Sequence, residues 1–223
     1  MVLNLLVKIL VMKTSSKDLT PKLEIINSGI HAVGILFGII SMPFLIKNAG
    51  NDGHSSNSAG VIIYALCFLM VFISSTLYHS FKRSRTKEIW KIIDHISIYF
   101  LIAGTYTPII LIFVNNSFGI TLLVILWGLT LLGVIFKLFF TGRFETLSTI
   151  LYLVMGWILF ADSRTFFQNM PAIIIELITL GGILYSIGVI FYLWEKYTYH
   201  HAIWHTFVLG AAICHYAAVL LAI

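Results

Sequence analysis

Charge is scarce in this sequence. Asp, Glu, Lys and Arg together make up 10% of its 223 residues, against about 25% in ordinary soluble domains. So few charged groups cannot cover the surface of a water-soluble globular fold of this length, and that class is excluded. Cysteine is nearly absent: Cys67 and Cys214 each sit in the middle of an apolar run. This excludes a disulfide framework and a cysteine-based metal motif, and leaves both as packing residues. No low-complexity tract, long linker or internal repeat interrupts the chain, so a second domain is not expected. A cleavable signal peptide is also missing, because residues 1–12 are apolar but contain Lys8 and offer no small-residue cleavage site. Residues 1–23 instead read as a cytoplasmic or interfacial lead-in.

What fills the chain is apolar. Hydrophobic residues make up 59% of it and the mean hydropathy is +0.98. The matching solvent is lipid, where only helices and closed barrels satisfy the backbone, and long unbroken apolar runs select helices over alternating strands. Runs of about 20 apolar residues mark membrane helices. They fall near 25–46, 61–81, 92–114, 118–140, 146–167, 172–193 and 202–223, which predicts an all-α, polytopic bundle of seven transmembrane helices within one domain, 24–223. The fifth run is the weakest, since Asp162 and Arg164 interrupt its end. Short Asn/Gly/Ser-rich turns at 48–57 and 115–117 join neighbouring spans.

The formal charge of +5 does not indicate a nucleic-acid partner, because the basic residues flank apolar spans and form no single stripe. They set orientation instead. On the side of the N-terminus lie Lys8, Lys13, Lys17, Lys22, Lys82, Arg83, Arg85, Lys87, Lys91, Lys137, Arg143 and Lys196, and on the other side only Lys47 and Arg164. With seven spans this places the N-terminus inside and the C-terminus outside, in a multi-pass chain of the cell membrane facing an anionic inner leaflet. The Lys82 to Lys91 run is then a topology anchor. Trp90, Trp194 and Tyr197 near span ends fit an interfacial aromatic belt.

Ionisable groups inside a span are expensive and therefore functional candidates. Ser75 and His79, one helical turn apart, share a face near the inner end of the second span. Asp94 falls in the first turn of the third. His201 and His205 form an H-x-x-x-H pair at the start of the seventh, where i, i+4 spacing lets two imidazoles converge on one ion. Alone, that pair fits two interfacial histidines equally well. Joined to His79 and Asp94 at the same membrane face, it favours a metal, with three imidazoles supplying zinc ligands and a fourth position left to water. Asp94 would orient that water or take its proton, with Ser75 as a hydrogen-bonding partner. Glu24, Asn27 and His31 form one polar stripe on the first span and are candidates to line the cavity, Asn27 above all; Glu24 and Asn27 lie near the interface, where a capping or solvated role is the alternative. His95 and His200 point about 100° away from their functional neighbours and read as interfacial. His54 falls in an outer loop, and His215, deeper in the seventh span, is expected to be a packing histidine. Gly104-Thr-Tyr-Thr-Pro108 should kink or loosen the third span.

The ordered motifs Glu24-x-x-Asn27-x-x-x-His31, Ser75-Thr-Leu-Tyr-His79, Asp94-His95-x-x-Ile98-Tyr99-x-x-Ile102-Ala103-Gly104-Thr105-Tyr106-Thr107-Pro108 and His201-Ala-Ile-Trp204-His205 resemble the bacterial haemolysin III branch of the progestin and adipoQ receptor family. The resemblance runs from Glu24 to the C-terminus. It implies a seven-helix bundle with an inside N-terminus and zinc held by His79, His201 and His205, with Asp94 near the zinc-bound water and Ser75 one turn above the first ligand. The family is similar to alkaline ceramidases in its metal constellation, which implies hydrolysis of a lipid amide or ester in membrane homeostasis, with membrane lipids as partners. The competing expectations are a membrane-active cytolysin or channel, and a receptor-like sensor of membrane state in which zinc only holds helices together.

Overall fold

A computed structural model describes residues 20–51, 55–82, 85–162, 164 and 167–223. The interfacial lead-in at 1–19 and His54 lie outside the described residues. Among these residues there are no strands, and seven α-helices follow one another: α1 Pro21–Asn51, α2 Ser55–Ser80, α3 Arg85–Phe113, α4 Ser117–Phe140, α5 Glu145–Gly156, α6 Ala172–Leu193 and α7 His200–Ala222. Six of them are long and apolar enough to cross a membrane; α5, with 12 residues, is not. The chain is a polytopic membrane protein.

The boundaries differ from the apolar runs in one consistent way. α1, α2 and α3 start four to seven residues earlier than their hydrophobic stretches because a helix continues through the polar interface once the membrane part has nucleated it. Asp94 consequently lies in the third turn of α3, not in its first. The fifth run departs most. Its α-helix stops at Gly156, a 3₁₀ turn covers Ile158–Asp162, and no single helix runs to residue 167. Glycine at the end of a short helix and the Asp162 and Arg164 charges beyond it both oppose continuation. At Pro108 the helix is not broken: α3 passes through it, and Thr107 returns a hydroxyl hydrogen bond to the Ala103 carbonyl. Proline removes one backbone bond, the one that would reach the Gly104 carbonyl, and the tightly packed neighbouring helices hold α3 continuous across it.

Helices adjacent in sequence pack against each other, α1 on α2, α2 on α3, α3 on α4 and α6 on α7, and α7 closes the ring onto α1. Small residues permit the close approaches. Gly34 of α1 lies directly on the Phe72 ring of α2, Gly104 of α3 on the buried Cys67, and Gly181 of α6 on His215 of α7, the close-packing device expected where no hydrophobic effect drives helices together. The outward faces of α1 and α4 carry exposed Ile40 and Val124, a surface suited to lipid and not to water. Trp194 and Tyr197 are half exposed beyond the end of α6, as an aromatic belt requires.

Candidate metal centre

One end of the bundle gathers the polar residues. α2 ends there with Ser75 and His79, α1 begins there with Glu24, and α7 begins there with His201 and His205. Each of His79, His201 and His205 offers a ring nitrogen within 4.8 Å of the other two. His79 is 3% and His205 3% exposed, so these nitrogens have little access to bulk water. The Nε2 atoms of His79 and His205 face each other at 3.0 Å. In a tetrahedral site with Zn–N bonds of about 2.0–2.1 Å, two ligand nitrogens stand about 3.3 Å apart. The pair therefore needs only a few tenths of an ångström of adjustment to receive a zinc ion. Three neutral imidazoles also suit a borderline-soft divalent cation.

The hydrogen bonds behind the rings are equally specific. His79 Nδ1 donates to Glu24 Oε2 at 2.6 Å, and Glu24 Oε1 accepts from Lys87 Nζ at 2.7 Å. Because the carboxylate can only accept, this bond puts the His79 proton on Nδ1 and leaves Nε2 with a lone pair aimed at the cluster. On the other side His205 Nδ1 meets His31 Nε2 at 2.6 Å. The His201 ring stacks edge-on against His205 and lies beside Tyr192.

A cavity of about 850 Å³ opens in front of this cluster, walled by His31, Ser75, Asp94, His95, His201 and His205 among others. Asp94 is 9% exposed and Ser75 fully buried, and both line the cavity. An apolar chamber of about 100 Å³ lies deeper between α3, α5, α6 and α7, and shares Val71, Ile98, Tyr152, Trp204 and Val208 as walls with the polar cavity. Phe160, which is 39% exposed, also lines it.

The expected residues are thus brought together with some corrections. Asn27 is 1% exposed and does not line the cavity; it is enclosed between Leu23 and His31, which do. Glu24 does not line the cavity either; it stands behind His79, which it bridges to Lys87. The Lys82 to Lys91 run is more than an anchor: Lys87 also donates to the Tyr78 and Phe81 carbonyls, and Lys91 is buried on the cavity wall. His95 and His200 line the same cavity as the metal cluster, since the cavity wraps around the ends of α3 and α7 instead of lying on one helix face. His215 is held by the Ile178 carbonyl at 3.2 Å, a packing histidine. Sequence reasoning missed the Lys137 to Glu145 ion pair, 2.7 Å, with Lys137 fully buried. Its only signal was a lysine inside an apolar run, eight residues before an acid.

Comparison with known proteins agrees with the motifs. The family model described as haemolysin-III related matches residues 20–216. A "Hemolysin-3 homolog" of Bacillus subtilis is 46% identical over 201 residues, covering 90% of this chain and 94% of the relative. "Hemolysin-3" of Bacillus cereus is 40% identical over 199 residues, covering 89% and 91%. The human "Monocyte to macrophage differentiation factor" is 27% identical over 199 residues, covering 86% and 81%. No solved structure matches. A family model that spans nearly the whole membrane domain, and bacterial relatives aligned almost end to end, place this chain in the haemolysin III family.

Proposed function

We propose that this protein is a zinc-dependent membrane hydrolase that cleaves a lipid amide or ester at the cytoplasmic end of a seven-pass bundle. The observation that carries the reading is the position of the three-histidine cluster: two of its members, His201 and His205, line a polar cavity that shares walls with an apolar chamber. A lipid with a hydrolysable bond between a polar head and an acyl chain fits that division. When bound, zinc supplies Lewis acidity that polarises a carbonyl and acidifies a water to near neutral pH. His79, His201 and His205 bind it. The Asp94 carboxylate, at the cavity wall, takes a proton from the attacking water and returns it to the leaving group, and the Ser75 hydroxyl orients Asp94 or donates to the reacting carbonyl. The surrounding apolar helices exclude bulk water and so strengthen each of these contacts.

The seven-pass arrangement is supported by connectivity. Glu145 and Thr149 line the polar cavity, and so do Leu193 and His200 at the other end of the helix pair that follows. Between α4 and α6 the chain must therefore change sides, and α5 with its 3₁₀ turn provides about 18 Å plus about 10 Å of rise, close to the hydrocarbon thickness of about 30 Å. With seven passes, the distribution of Lys and Arg puts the cluster and the N-terminus inside.

Purified protein is expected to hold one zinc per chain and to turn over a lipid amide or ester, and both properties should vanish together in His205→Ala. Equal turnover in a zinc-free His205→Ala protein would sink the hydrolase. A cytolysin is the second reading, favoured by the names of the Bacillus relatives. Its mark would be dye release from liposomes that persists after chelation.

A further inference from the structure

The polar stripe of α1 neither ligates nor reacts in the scheme above, yet it touches two of the three ligand histidines. We propose that α1 is the positioning element of the metal centre, with Glu24 orienting His79 and His31 orienting His205. This rests on the reading of the three histidines as a metal site.

The geometry is reciprocal. Both His79 and His205 turn Nε2 toward the cluster, 3.0 Å apart, and both use Nδ1 for α1, at 2.6 Å to Glu24 Oε2 and 2.6 Å to His31 Nε2. A metal-ligating histidine engages its second ring nitrogen with a carboxylate or another acceptor, which fixes the tautomer and the ring plane. Glu24 satisfies that requirement directly. It is itself fixed, because Lys87 holds its other oxygen and also donates to the Tyr78 and Phe81 carbonyls. Glu24 and His31 are seven residues apart, two turns of one helix, so a single rigid element sets both ligand orientations at once. The His201 ring packs instead against Tyr192, His200 and the other two histidines of the cluster.

The stripe also carries unpaired polar atoms beside these contacts. His31 is 2% exposed and its Nδ1 has no hydrogen-bond partner; Asn27, one turn earlier on the same face and 1% exposed, has neither its amide nitrogen nor its amide oxygen satisfied. Three orphaned polar atoms within one turn are costly unless a partner arrives. When His205 ligates through Nε2, its Nδ1–H donates to His31 Nε2, and the His31 proton moves to Nδ1. The first-helix motif is in this way a set of supports for the histidines of α2 and α7.

The experiment compares zinc affinity by chelator competition, the visible spectrum of the cobalt-substituted protein, and thermal midpoints with and without zinc, for wild type, Glu24→Gln, His31→Phe and His31→Gln. Glu24→Gln and His31→Phe should each weaken zinc binding about 10- to 100-fold and shift the cobalt bands. His31→Gln, which keeps a hydrogen-bonding side chain, should recover part of the loss. The metal-free midpoints should stay close to wild type while the zinc-dependent rise shrinks. Wild-type zinc affinity and cobalt spectra in both Glu24→Gln and His31→Phe would overturn the positioning role and leave the metal site standing. A wild-type chain that holds no zinc would overturn both. Should Glu24→Gln fail to fold, Glu24→Asp takes its place: the same weakening supports the role, and unchanged affinity refutes it.

Discussion

At the residue scale, the proposed centre assigns binding to one set of groups and reaction to another. His79, His201 and His205 sit within ligand distance of one another, whereas Asp94 and Ser75 occupy the cavity wall in front of them. Replacing any one of the three histidines with alanine should lower zinc content well below one per chain, read by elemental analysis of purified protein. Asp94→Asn should behave differently. It removes a proton acceptor and no ligand, so zinc should stay bound while turnover falls by about 10²- to 10⁴-fold. Loss of zinc in Asp94→Asn would instead make Asp94 a ligand. The grouping of His79, His201 and His205 was legible from i, i+4 spacing and the matching of helix ends. The partners of those ligands were not, because Glu24 lies 55 positions from His79 and His31 lies 174 from His205, and no local pattern connects residues so far apart.

At the element scale, helix contact depends on glycines that leave no room for a side chain. A Cβ at Gly34 would stand 2.1 Å from the Phe72 ring, and Phe72 is fully buried. Gly34→Ala should therefore push α1 from α2 and destabilise the bundle by about 1–3 kcal/mol, read as a lower thermal midpoint in detergent. Because α1 carries Glu24 and His31, zinc affinity should fall with it. The Lys137 to Glu145 pair ties the end of α4 to the start of α5. Glu145→Leu leaves a buried ammonium without its carboxylate and should cost about 1–3 kcal/mol, the lower end reflecting the partly exposed acid. The double variant Lys137→Leu with Glu145→Leu should be more stable than Glu145→Leu alone, and a double variant that is less stable would contradict this account. Six helices were legible as apolar runs, with α6 matching its run end to end. The fifth was misjudged in length because hydropathy registers an apolar segment whether it is an α-helix or a helix followed by a 3₁₀ turn.

At the scale of the whole molecule, the polar cluster at one end and the lipid-facing apolar belt define an orientation that can be measured. In a chain with Cys67 and Cys214 replaced by alanine, a single cysteine at Asn116 should react with a membrane-impermeant maleimide on intact cells, and one at Gly142 only after lysis. The reverse pattern would invert the assignment of the cluster to the cytoplasmic face. The sequence by itself determined the solvent, the helical class, the family and the three histidines that the fold brings together, since apolar run length, scarcity of charge and one-turn spacing are local properties that survive without coordinates. Only the tertiary structure decided that α1 stands behind the ligands, that Lys87 and Lys137 are paired and not merely anchoring, and that the polar cavity adjoins an apolar chamber. Each of these is a contact between helices distant in sequence, and in a membrane such contacts are chosen by close packing and by the cost of an unpaired polar group, neither of which leaves a periodic trace in the chain.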